Sequence, residues 1–321
     1  MSTTDTDNIG LLDAFVGDGR PLLSLTGLCL IFSGAFAIFQ SITGHFLPHD
    51  VEFLGMTADE LCALKGCRIV HFMFHDRVAF GGAIFAVGVF YLWLAEFPLR
   101  AGEAWSWWLF VVTGLTGFGS FLAYLGYGYL DSWHGAATIF LLPVYVWGLL
   151  RTRRLLAGPA PFRALFHPSA PLDWKSRAGL GRICLLATGV GMFLAGLTIL
   201  TVGTSLVFVP QDLEFMDATR AELDAINPRL IPLIAHDRAG FGGGIFTCGI
   251  LVFFSAWCAR PSRSLRQVMA IAGVAGFACA LGVHFVVGYN DFIHLLPAYA
   301  GAGLFLAGVV LSGAFFTSDR R

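Results

Sequence analysis

The stretch His75-Asp76-Arg77-Val78-Ala79-Phe80-Gly81-Gly82-Ala83-Ile84-Phe85 decides how this chain is read, because its pattern returns at His236-Asp237-Arg238-Ala239-Gly240-Phe241-Gly242-Gly243-Gly244-Ile245-Phe246. The offset is 161 residues, and matches continue on both sides. Upstream, Pro48, Asp50, Glu52 and Phe53 return as Pro210, Asp212, Glu214 and Phe215. Downstream, Gly114-x-x-Gly117-Phe118 returns as Gly273-x-x-Gly276-Phe277, and Gly128-Tyr129-x-Asp131-x-x-His134 as Gly288-Tyr289-x-Asp291-x-x-His294. Self-similarity at offsets of 159 to 162, which single-residue gaps reconcile, marks an internal duplication.

Each copy embeds its motifs in long apolar runs. The chain has 321 residues, 56% hydrophobic and only 13% charged, against about 25% charged in ordinary soluble domains. Too few charges remain to cover a water-facing surface, so lipid is the expected solvent. A helix needs roughly 20 apolar residues to cross the hydrocarbon. Eight runs meet that length, at about 22–44, 70–95, 105–126, 133–150, 181–207, 231–258, 266–288 and 292–316. The expected fold is therefore all-α, a polytopic membrane protein of eight transmembrane helices in two tandem parallel four-helix repeats, standing as two bundles side by side. The corresponding division is an N-terminal segment 1–20, a first repeat 21–150, a linker 151–180 and a second repeat 181–321.

Basic residues set the orientation. Arg151, Arg153, Arg154, Arg163, Lys175, Arg177 and Arg182 crowd the connection between the fourth and fifth runs. Arg260, Arg263 and Arg266 lie between the sixth and seventh, and Arg320 and Arg321 close the chain. These segments share one side, which the positive-inside rule makes cytoplasmic. The expectation is a multi-pass protein of the cell (inner) membrane with both termini in the cytoplasm. The acidic start (Asp5, Asp7, Asp13, Asp18) lacks a basic region before the first apolar run, so no cleaved signal peptide is expected. A net charge of −1 argues against nucleic acid as a partner. The bilayer is the expected partner, with a membrane or extracytoplasmic protein as a further one.

The outer connections carry Thr57-x-x-Glu60 and Thr219-x-x-Glu222, capping boxes that predict a short helix in each copy. Glycines 81–82 and 242–243 predict close helix packing.

Candidate chemistry concentrates at the same outer edge in both copies. The His-Asp-Arg triplets sit where the second and sixth runs leave the membrane, and charged groups there must be paired or face a polar cavity. Asp131 and Asp291 are expected to cap the fourth and eighth helices. His134 and His294 follow one turn later and can face the triplet histidines across a bundle. His75 with His134, and His236 with His294, are accordingly the candidate ligands for a b-type haem or a transition metal. Arg77 and Arg238 would then pair with propionates or an anionic substrate. Asp50, Glu52, Asp76, Asp131, Asp212, Glu214, Asp237 and Asp291 form the expected supporting polar network.

The first copy alone carries His45, His49, His71, Cys62 and Cys67. The histidine spacings of four residues suggest a further metal site, while an oxidising outer compartment would instead join the two cysteines. His284 stands where the first copy has Tyr124 and is expected to be a buried, hydrogen-bonded histidine. Walker A, His-Glu-x-x-His, Cys-x-x-Cys and dinucleotide fingerprints are absent from the sequence. Cofactor binding for a redox role is the leading expectation. The alternatives are a transporter or proton-coupled binding protein, and a non-catalytic membrane subunit or scaffold.

Overall fold

A computed structural model describes residues 10–122, 129, 131–156 and 158–314. Among these residues the chain is all-helical, without strands. The helices are α1 (Leu11–Val16), α2 (Arg20–Ile42), α3 (Pro48–Leu54), α4 (Ala58–Lys65), α5 (Arg68–Leu94), α6 (Ala104–Leu122), α7 (Ser132–Ala136), α8 (Leu142–Thr152), α9 (Arg177–Thr204), α10 (Pro210–Met216), α11 (Arg220–Ile226), α12 (Leu230–Cys258), α13 (Arg263–Val287) and α14 (Phe292–Leu311). A π-helical stretch, Ala137–Leu141, joins α7 to α8 in one rod. Pro143 opens α8, and its missing N–H removes one bond from the regular ladder there.

Among the described residues, seven helices are long and apolar enough to cross a membrane. The run expected at 105–126 is helical over Ala104–Leu122, its last four residues lie outside the described ones, and the described part is not one of the seven. Trp105, Trp107 and Trp108 crowd its head, and tryptophan is a residue of membrane interfaces rather than of hydrocarbon.

Burial divides the long helices sharply. In α5 and α12, 72% of the apolar window is buried within the protein, against 11–28% in the other five. The two central helices therefore pack against each other and against protein on most sides, and the others ring them. α2 lies along α5, and α9 along α12. The next contact crosses over: α13 packs on α5 and α6 packs on α12. The halves thus interlock, in place of the two self-contained bundles expected.

The glycine pairs account for this. A methyl on Gly81 would stand 2.8 Å from the Gly34 carbonyl of α2, and one on Gly82 would stand 2.6 Å from Cys279 Cβ of α13. In α12, a methyl on Gly242 would meet the Leu200 nitrogen of α9 at 2.4 Å, and one on Gly243 would meet Ser120 of α6 at 2.1 Å. Adjacent glycines point about 100° apart on a helix. Each pair therefore admits one neighbour from its own half and one from the other.

The short helices α3, α4, α10 and α11 form a cap over one end of this assembly. Thr57 and Thr219 each accept from the backbone N–H of Glu60 and Glu222, whose carboxylates accept in return. The cap is stitched across the halves by Lys65 to the Asp217 carbonyl (3.0 Å), Asn227 to the Leu54 carbonyl (2.8 Å) and Arg229 to the Phe53 carbonyl (2.6 Å). It has an apolar core of its own, including Leu61, Phe72, Met73, Met216, Leu223 and Leu233. The His-Asp-Arg layer is consequently closed off by apolar packing on the capped side as well as by the bundle.

Candidate metal centres

The triplets face each other where α5 meets α12. Arg77 donates through Nε to Asp237 (2.8 Å) and through Nη1 to Asp50 (2.7 Å). Arg238 donates through Nε to Asp76 (3.1 Å) and through Nη1 to Asp212 (2.6 Å). Each arginine thus takes one carboxylate from the other triplet and one from a cap helix of its own half. Asp50 and Asp212 sit in the first turns of α3 and α10, where they also accept backbone N–H groups. Tyr129 donates to Asp50 and Tyr289 to Asp212 (3.0 Å). Burying charges costs several kcal/mol each unless geometry is good and every donor is used. Here each guanidinium is met on two of its nitrogens and each cap carboxylate by several donors.

In the cap, burial raises the Asp50 carboxyl, but Arg77 and then Tyr129 outweigh it and hold the group below the usual carboxylate range. Burial, reinforced by the neighbouring Asp50 and Asp212 charges, pushes the Tyr129 and Tyr289 phenols well up, so both remain donors.

Beside this layer, among the described residues, lie two groups that could hold a metal ion: His75, His284 and His294, and Asp131, His134 and His236. Within each group the ligand atoms lie within 4.8 Å of one another. The first joins α5, α13 and α14, and the second joins the head of α7 to α12. The histidines pair across the halves, because the third helix of each half leans on the central helix of the other. His75 therefore meets His284 and His294 in place of His134, and His236 meets His134 in place of His294.

The three-histidine group is oriented from behind. His75 Nδ1 faces Asp76 at 3.0 Å, with the carboxylate already held by Arg238. His284 Nδ1 stands 2.7 Å from the Ala280 carbonyl, which only accepts, so this nitrogen carries the proton. Tyr289 gives its hydroxyl proton to Asp212, leaving its oxygen to accept from His294 Nδ1 at 3.3 Å. Each ring thus commits Nδ1 as donor, and His75 and His284 turn Nε2 lone pairs toward each other. His75 Nε2 and His284 Nε2 stand 2.9 Å apart. Two lone pairs repel at that distance unless a proton or a metal ion lies between them. A second ring nitrogen tied to carboxylate, carbonyl or hydroxyl is the usual support of a metal-binding imidazole.

The second group is built differently. His236 Nδ1 faces Asp237 at 3.1 Å, and its Nε2 faces His134 Nδ1 at 3.1 Å. Asp131 caps α7, accepting from Trp133 N at 2.6 Å, and its other oxygen stands 3.3 Å from His134 Nδ1. His49 reaches Asp131 at 3.2 Å from the cap. Burial raises the Asp131 carboxyl, while His134 and His49 more than reverse this and hold it well below the usual range. Around this group, Asp50, Asp131 and Asp237 outnumber the one arginine, Arg77.

No known protein family, characterised protein or solved structure matches this chain. The chemistry is therefore argued from these side chains alone.

Cys62 and Cys67 are joined in a disulfide, so neither offers a thiolate to a metal. His45 is exposed ahead of α3, so its spacing from His49 is not a helical one, and His71 lies outside both groups. Arg77 and Arg238 are committed to carboxylates rather than held for propionates. Glu52 and Glu214 are exposed, and Asp291 caps α14 through His294 N from an exposed position. Tyr124 lies outside the described residues. Two kinds of participant had no role in the sequence reading: the tyrosines 129 and 289, and His284 as a ligand. The tyrosines did leave a signal, since each recurs two residues before its aspartate.

Proposed function

We propose that this chain is an eight-span membrane protein of two tandem four-helix repeats, with cytoplasmic termini, that holds transition-metal ions at two buried centres beneath an extracytoplasmic cap. Support for the repeat comes from the near-constant sequence offset and from matching contacts: Arg77 with Asp50 and Asp237, against Arg238 with Asp212 and Asp76. Support for the orientation comes from the distribution of arginine and lysine.

The observation that carries metal binding is the convergence of His75, His284 and His294, whose ligand atoms lie within 4.8 Å of one another, with the Nε2 atoms of His75 and His284 facing each other. Three imidazoles with an open fourth position suit zinc, copper or iron. Two nitrogens on one tetrahedral ion stand about 3.4 Å apart, given bonds of about 2.0–2.1 Å. The His75–His284 separation is close to that value. It leaves no room for a porphyrin between the rings, so the geometry favours an ion over haem ligated by that pair. At the second centre, the excess of carboxylates over arginine favours a cation at Asp131, His134 and His236. With copper or iron bound, the two centres would serve electron transfer, and with zinc they would not.

Elemental analysis of protein purified in mild detergent tests the reading. We expect about two ions per chain, as independent three-ligand sites imply. Folded protein that contains no transition metal, and takes none up on reconstitution, would overturn it.

A further inference from the structure

A cavity of about 440 Å³ opens directly onto the second centre, a size typical of small-molecule sites (about 300–1,000 Å³). Its polar end is made by Asp50, Arg77, Asp131, His134, His236 and Asp237. The remainder is mainly apolar and aromatic, with Phe36, Phe80, Val87, Phe118 and Trp133 among its walls and Gln40, Thr113 and Thr247 among the polar side chains between them. Phe32 and Phe36 of α2 and Trp133 of α7 line it while staying exposed on the outer surface of the helix ring. The mouth therefore lies between α2 and α7, on a face the bilayer would cover. At their other ends α2 and α8 close together: a methyl on Gly148 would stand 3.0 Å from Leu22 Cβ.

The chemistry of the polar end selects the ligand. Arg77 is held by Asp50 and Asp237, and Asp131 brings the carboxylates at this end to three. An anionic head such as a fatty acid, phosphate or propionate would be repelled. Carboxylate and imidazole accept hydrogen bonds, so the head must donate them. The aromatic walls favour a flat ring, and the lateral mouth favours a hydrocarbon tail.

We propose that this cavity binds a quinol-type lipid, with a dihydroxy aromatic ring beneath Asp131, His134, His236 and Asp237 and its tail leaving between α2 and α7. The site shares three residues with the proposed metal centre but does not require an ion in it.

The test uses the full-length protein in nanodiscs of neutral phospholipid, titrated anaerobically with decylhydroquinone in a calorimeter. Saturable one-site binding is expected. The dimethyl ether of the same molecule lacks both donors and should bind at least about tenfold more weakly, the worth of one to two net hydrogen bonds. Gly117 lines the cavity, and a Cβ added there meets nothing within 4 Å. Gly117→Phe should therefore fill the space and weaken binding by at least about tenfold, with metal content unchanged. Absence of saturable binding, or equal affinity for quinol and ether, would overturn the proposal, and the ether comparison needs no variant to fold. Quinol binding by protein that takes up no metal supports the cavity and counts only against the metal centres.

Discussion

Arg77 of α5 donates to Asp237 of α12 at 2.8 Å, although the two residues are 160 positions apart. The reciprocal bond from Arg238 to Asp76 spans 162. The two bonds tie the central helices together at one level, and each arginine is anchored from the cap as well. The layer behaves as one unit, so its members are not expected to contribute independently.

Replacing Arg77 with Met would leave Asp50 and Asp237 buried without their cation. Breaking one partner of a buried pair costs about 3–5 kcal/mol, and unfolding in mixed micelles should show a loss of that order. Adding Asp50→Asn and Asp237→Asn to that variant should recover part of it, because the stranded charges are removed. A variant as stable as the parent would show that the layer is not a structural lock.

His284→Phe keeps bulk in α13 but removes one imidazole. Metal content should fall from about two ions to about one, as expected for loss of a ligand from one of two separate sites. Asp76→Asn keeps all three ligands of that centre but removes the charge behind His75, along with one of the two carboxylates on Arg238, and should weaken metal affinity about 10–100-fold. Equal losses from both centres in His284→Phe would argue for one coupled site.

Gly243→Val places a side chain where Ser120 of α6 already lies, with the first carbon only 2.1 Å away. α6 would have to leave α12, and we expect loss of folded protein in detergent by size exclusion. Gly276→Ala is the matched control, since its methyl meets nothing within 4 Å, and alanine is the better helix former by about 1 kcal/mol. Normal behaviour of Gly243→Val would contradict the crossed packing.

Acid should loosen the cap. The Asp50 carboxyl is held below its ordinary value of 3.8, so the folded state binds this proton less readily than the unfolded chain. The stability from this group is present above that ordinary value and is lost as pH falls through the lower folded one. Thermal melts should fall as pH is lowered from about 4 to about 2, and Asp50→Asn should flatten the curve there. A slope unchanged in that variant would assign the acid sensitivity elsewhere.

The local features were legible in the sequence because each depends on neighbours in the chain. Capping boxes at Thr57 and Thr219 and the Asp131 and Asp291 caps satisfy donors two or three residues away, and the structure forms all four. The crowding at Gly81–Gly82 and Gly242–Gly243 was readable as close packing, but nothing in a glycine names the helix that will approach it. Pairing of the histidines was misplaced for that reason. His134 and His236 are 102 positions apart and His75 and His284 are 209, and each imidazole is as well matched in charge and size to one partner as to another. The metal site drawn on His45, His49, His71, Cys62 and Cys67 failed through geometry too. The chain leaves its helix before His45, and the two thiols are consumed by each other.

By itself, then, the order of residues determined that this chain belongs in lipid, that its helices are long and apolar, and that one pattern of His, Asp, Arg, Gly and Tyr occurs twice. Those properties follow from composition, periodicity and contacts within a turn or two. Which imidazoles converge, which carboxylate neutralises which arginine, and which wall closes the cavity were decided only by the tertiary structure. The physical reason is that α5 and α12 share one interface. Once two similar helices pack face to face, and the paired glycines of each admit one neighbour from either half, each half completes its polar sites with side chains of the other, and no spacing along the chain encodes that exchange.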